Sequence, residues 1–205
     1  MKKLLLFLLL AALCETGHGH PVPDVPVRTT FHNDGKAVIR VEVDPRCFAQ
    51  DPLNEPYLEN QAVQSYTEKQ KSELFERTKK FIADTIEFTL EPKGQVLPKF
   101  EMSFTTFASQ ALKWNAKNPE KNSLRVEKTP VVITAKWSTD ASKMLGYQIQ
   151  AKKGGKLSVQ FINHIGDEKQ RLNVLFPGEE SYELDLSMWA KSVKSEPVES
   201  SKTKK

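Results

Sequence analysis

The sequence predicts a mainly β fold, an antiparallel β-sandwich of Ig-like or Greek-key type with one amphipathic helix packed on it. Three observations carry this. Apolar residues recur with a period of two in nine short segments, glycine-bearing turns separate many of them, and one segment alone shows helical spacing. Short strands with one apolar face each are the signature of paired antiparallel sheets.

The first two strands are set by Val25, Val27, Thr29 and Phe31, then by Ala37, Ile39, Val41 and Val43, with Asn33-Asp34-Gly35 between them. An Asp-Gly pair between alternating runs is a hairpin signal. Ile86, Phe88 and Leu90 read as a third strand and Phe100, Met102 and Phe104 as a fourth, across Pro92-Lys93-Gly94. Val131, Ile133, Ala135 and Trp137 form a fifth. Tyr147, Ile149 and Ala151 lead through Lys153-Gly154-Gly155-Lys156 into Leu157, Val159 and Phe161. Leu172, Val174 and Phe176 follow Gly166-Asp167, and Tyr182, Leu184 and Leu186 follow Pro177-Gly178.

Thr67 to Asp84 places Leu74, Phe75, Thr78, Phe81 and Ile82 on one face, which predicts a helix; Thr67 and Gln70 fit a capping box. The stretch 44–64, with three prolines, is expected to wrap irregularly over the surface. Residues 108–129 give no clear periodicity.

The two ends differ from the middle. Lys2 and Lys3 precede an apolar run from Leu4 to Leu13, then small residues follow, the pattern of a secretory signal peptide over 1–19. Cleavage after Gly19 would leave His20 first. Cys14 invites lipidation, but bulky Leu13 precedes it, so soluble export to the periplasm or beyond is the expectation. No later segment is long and apolar enough to span a bilayer. Residues 190–205 are rich in Ser, Lys and Glu and are expected to form a disordered tail. One domain is thus expected over 20–189.

The chain carries 30 Lys+Arg against 26 Asp+Glu, but residues 20–189 hold 23 of each. A neutral domain without a basic stripe argues against nucleic acid as a partner. Past residue 19 a single cysteine remains, Cys47, which predicts a buried thiol rather than an internal disulfide.

Chemistry is sparse. There is no nucleophile elbow, phosphate loop or dinucleotide fingerprint. Glu179-Glu180 reads as a solvated turn. Trp114, Trp137 and Trp189 could form a contact platform, although Trp137 is in phase with the core residues of its strand. A mature N-terminal His20 could chelate copper or nickel through its amine and imidazole, because Pro21 has no amide proton to compete. His164 or His32 would complete that site, with Asp167 or Asp34 nearby. No other cofactor is expected.

The runs His20-Pro-Val-Pro-Asp-Val-Pro-Val-Arg28 and Ile39-Arg-Val-Glu-Val-Asp-Pro-Arg-Cys-Phe48 resemble the start of the extracytoplasmic domain of bacterial HupE/UreJ-like membrane proteins. In that family a β-rich soluble region precedes a bundle of membrane helices, which this sequence lacks. The resemblance implies a bacterial cell-envelope setting and an envelope or membrane protein as partner. The function expected is therefore a non-catalytic binding domain, with metal binding at His20 as the alternative.

Overall fold

The computed structural model describes residues 24–106 and 129–195. The chain is mainly β, with two sheets and few helices. The larger sheet runs β10-β8-β1-β2-β6-β5, with β9 also paired to β8. Its strands are β1 (Val25–Phe31), β2 (Lys36–Val43), β5 (Glu101–Thr106), β6 (Val131–Asp140), β8 (Val159–Ile165), β9 (Glu168–Lys169) and β10 (Asn173–Leu175). The smaller runs β11-β7-β3-β4, from β3 (Ile86–Glu91), β4 (Gly94–Val96), β7 (Gly146–Ala151) and β11 (Leu184–Asp185).

The β1–β2 hairpin forms as the alternation predicts. Val27 lies opposite Val41 and Thr29 opposite Ile39, so the apolar sets of both strands share one face. Gly35 takes φ +83° in the turn, a left-handed conformation that glycine adopts without a Cβ penalty. One expectation needs correction. The sheets are not wholly antiparallel, because β1 and β8 pair in parallel, with Val25 opposite Val159 and Phe31 opposite Ile165. Strands this far apart in sequence need no hairpin between them, so their direction is set by the crossovers and not by a turn.

The expected fourth strand exists as β5, but it is not the hairpin partner of β3. The Pro92-Lys93-Gly94 turn instead returns β4 onto β3, with Phe88 opposite Val96. The chain then crosses to the larger sheet, where Phe104 lies opposite Ile133.

Both sheets feed one core. Val25, Phe31, Ile39 and Val41 from the larger sheet join Phe88, Leu90, Tyr147 and Ile149 from the smaller. Helix α1 (Asn60–Ser65) interrupts the stretch expected to be irregular. Helix α2 (Glu68–Thr85) follows the predicted boundaries closely. Thr67 caps it, with Thr67 Oγ1 accepting from Gln70 N–H and the Gln70 side chain accepting from Thr67 N–H. Its apolar face buries Thr78 and Ile82, and Phe75 meets Phe104 at 4.8 Å between ring centroids. Helix α2 therefore packs on the same side of the larger sheet as the smaller sheet does.

Helix α3 (Ser187–Ser195) crosses the expected domain boundary after residue 189. Trp189 and Ala190 are buried, and the Trp189 ring stands edge-on to Phe31 at 5.5 Å. Ser187 N–H donates to Asp185 Oδ1, which starts the helix. Residues 1–23 and 196–205, with the expected signal peptide and most of the expected tail, lie outside the described residues. No described helix is long and apolar enough to cross a membrane.

Candidate functional site

The face of the larger sheet that points away from the core has an ordered composition. Alternation puts Gln160, Ile162 and His164 of β8 on this outer face, with Pro26, Arg28 and Thr30 of β1 and Arg40 and Glu42 of β2. Ladder register then aligns Ile162, Arg28, Arg40 and Lys136 in one row across four strands. Like charges directly opposite one another repel, so this row costs stability. Arg40 is offset by Glu42, its Nε 3.0 Å from Oε1, whereas exposed Arg28 has no anionic partner among the described residues. A groove of about 530 Å³ runs over these side chains and is bordered by His164 and Leu172.

Strand β10 forms one edge of this sheet and carries its most unusual surface. Leu172, Val174 and Phe176 are 55%, 44% and 62% exposed, while Leu175 between them is buried. This reverses the expected phase, in which the first three faced the core. The cause lies downstream. Gly178 N–H donates to Ala151 C=O and Ser181 N–H to Ile149 C=O, so the chain after Phe176 must cross to β7. That crossing turns Leu175 inward, opposite Val159. The counter-phase leucine in Leu172-Asn-Val-Leu-Phe176 was the available signal, outvoted by three residues in the other phase.

Tyr182, also expected to face the core, is 47% exposed, and its ring lies 6.1 Å from Phe161. Backbone groups at the edge are exposed too. Ser158 C=O accepts from Val25 N–H on the β1 side, and Asn163 C=O accepts from Gln170 N–H on the other. Alternate residues of a strand point to opposite sides, so Val159 and Phe161 bond Leu175 and Asn173, and Val174 N–H and C=O face outward. Phe176 N–H is used, donating to Glu179 Oε2 at 2.8 Å. Glu179 thus ends the edge.

The residues singled out for metal fall as follows. His32 follows β1 and Asp167 follows β8, and the parallel pairing brings these two turns to the same end of the sheet. Gly166 N–H donates to Phe31 C=O there at 2.8 Å. His164 stands opposite Thr30 and borders the groove that holds Arg28 and Arg40. Asp34 is tied to Lys36, whose backbone N–H holds the carboxyl below its ordinary range. Among the described residues no group of three or more His, Cys, Asp or Glu side chains is placed to hold a metal ion. His20 and Trp114 lie outside the described residues. Trp137 is half-buried against the core and Trp189 is buried, so neither is an open contact platform.

Cys47 is packed against the core, and burial pushes its thiol up to about 12, away from the range of a reactive nucleophile. Asp44 and Arg46 beside it form a buried ion pair, with Nη2 and Nε of Arg46 at 2.7 and 2.9 Å from Asp44 Oδ2. The Arg46 guanidinium also covers the Tyr57 ring at 3.7 Å. This cluster pins the segment after β2 to the core.

These features define a two-sheet, mainly β protein with a row of exposed apolar side chains along one sheet edge. No protein-family model matches this chain, and no curated protein matches it.

Proposed function

We propose that this chain is an exported, non-catalytic binding domain of the bacterial cell envelope, built as a β-sandwich. Its partner is a protein that docks on the outer face of β10 and β8. The observation that carries this reading is the row Leu172, Val174 and Phe176, each about half exposed along edge strand β10 and the residues that flank it. Contiguous exposed apolar surface favours association with another macromolecule. The outward N–H and C=O of Val174 add a backbone edge that an extended segment can extend. The neighbouring Arg28 and Arg40 favour an acidic flank on the partner. The export element rests on the charged start and apolar run of residues 1–19, and the envelope setting on the family resemblance.

A photo-crosslinking residue at position 174, in cells that express the full chain, tests the docking face. A discrete adduct at 174, not seen from position 69 on the exposed face of α2 and lost in Leu172→Glu/Phe176→Glu, supports the reading. Equal labelling from both positions, or none, overturns it. Intact-mass analysis of the same material tests export separately, with a mature chain that begins at His20 as the expected result.

A further inference from the structure

We infer that a second site, unrelated to the β10 face, binds a single-chain fatty acid in the crevice between helix α2 and the segment that crosses from β4 to β5. This crevice has a volume of about 710 Å³, within the roughly 300–1,000 Å³ of small-molecule sites. It lies where the two sheets part at their edges. Strand β4 ends at Val96, and the chain then leaves the smaller sheet to begin β5 in the larger one.

The walls are apolar and partly open. Val96, Pro98 and Phe100 are half-buried there, with Ala83 of α2 opposite. Phe100 rests on the buried Phe88 ring at 6.4 Å, so the inner wall continues into the core. Leu97 stands at the mouth and is 81% exposed, the most open of the large apolar side chains among the described residues. Burying that side chain against an alkyl chain would be favourable.

The rim is mainly cationic. Lys79, Lys80, Lys99 and Lys152 line the crevice, against the single carboxylate of Glu87. Lys79 and Lys80 are engaged by Glu76 and Asp84 on their own helix. Lys152 is held in place, its Nζ donating to Ala83 C=O at 2.9 Å near the end of α2 and lying 4.0 Å from Glu87 Oε2. Exposed Lys99 has no anionic partner among the described residues. An apolar trough beside fixed and free ammonium groups complements an alkyl chain with an anionic head. A neutral lipid would leave the Lys99 ammonium unpaired, and a cationic amphiphile would be repelled by it.

Calorimetric titration of the full chain with dodecanoate, below its micellar concentration, tests this. The expected result is saturable one-to-one binding. Lys99→Glu should weaken it about tenfold or more, as the loss of a charge-assisted contact implies. Both Leu97 and Lys99 are exposed, so Leu97→Gln and Lys99→Glu leave the fold intact; both should weaken dodecanoate. Phe100→Trp supplies an independent signal, a blue shift of its emission when dodecanoate enters. No saturable binding, equal binding of dodecanol, or binding only to phosphatidylglycerol vesicles would each overturn the assignment. Leu172→Glu/Phe176→Glu should leave dodecanoate binding unchanged, which separates this site from the docking face.

Discussion

Thr29 of the larger sheet and Tyr147 of the smaller share a hydrogen bond, their hydroxyl oxygens 2.7 Å apart and both side chains buried. It is a polar tie between the two sheets, and the Tyr147 ring also stands edge-on to Phe31 at 5.5 Å. Tyr147→Phe removes one partner and strands the Thr29 hydroxyl, which should cost about 1–3 kcal/mol. The double variant Thr29→Val/Tyr147→Phe removes both and should recover part of that loss. Urea denaturation of the two single variants and the double closes the cycle; simple additivity would mean that the hydroxyls are not coupled.

Asp44 and Arg46 form the second buried polar element. Asp44→Ala leaves a guanidinium in the core without its counter-charge and also removes the acceptor for Arg46 N–H. The expected loss is about 3–5 kcal/mol. Asp44→Ala/Arg46→Met removes the stranded charge and should be more stable than Asp44→Ala alone. Chemical denaturation of both variants gives the comparison.

Cys47 makes stability depend on alkaline pH. Burial first, then the nearby Asp44 carboxylate, raises its thiol from the ordinary 9.0 to about 12. Above pH 9.0 the unfolded thiol ionises while the folded one keeps its proton. The unfolded state then binds fewer protons, so stability falls as pH rises towards about 12. Tyr147, whose phenol burial also pushes up, adds a loss of the same sign above its ordinary 10.0. Cys47→Ala should flatten the stability–pH curve across this window without abolishing the Tyr147 part. Native Cys47 should also resist thiol reagents at pH 8 until the protein is unfolded in urea.

Gly35 and Gly94 offer a matched pair. Both adopt positive φ, +83° and +74°. A Cβ at Gly35 would meet Val193 Cγ1 of helix α3 at 3.0 Å and Ser142 Cβ at 3.2 Å, whereas one at Gly94 meets nothing within 4 Å. Gly94→Ala should cost only the left-handed backbone term, about 1–2 kcal/mol. Gly35→Ala should cost more, because the turn must shift away from α3. Thermal melts of both variants decide the order.

The local features of this fold were legible. The β1–β2 hairpin, β3, β6 and the capped helix α2 appear where period and capping residues place them, because each depends on neighbours a few positions away. The exposed apolar face was not legible. Leu172, Val174 and Phe176 outnumber Leu175, and alternation alone assigns the majority to the core. Only the hydrogen bonds of Gly178 and Ser181 to β7 reverse the phase. The Lys-rimmed crevice was equally hidden, since Lys79, Lys99 and Lys152 come from three separate elements that only the packing of α2 beside β3 and β4 brings together.

The sequence by itself determined that this is a mainly β chain with one long amphipathic helix, since alternation and 3.6-residue spacing are properties of short windows. Tertiary structure alone decided that β1 lies parallel to β8, that Phe31 finds Trp189, and which side of β10 meets solvent. Those outcomes depend on pairings between segments far apart in the chain. Such pairings are chosen by the joint burial of both partners, a quantity that neither segment carries alone.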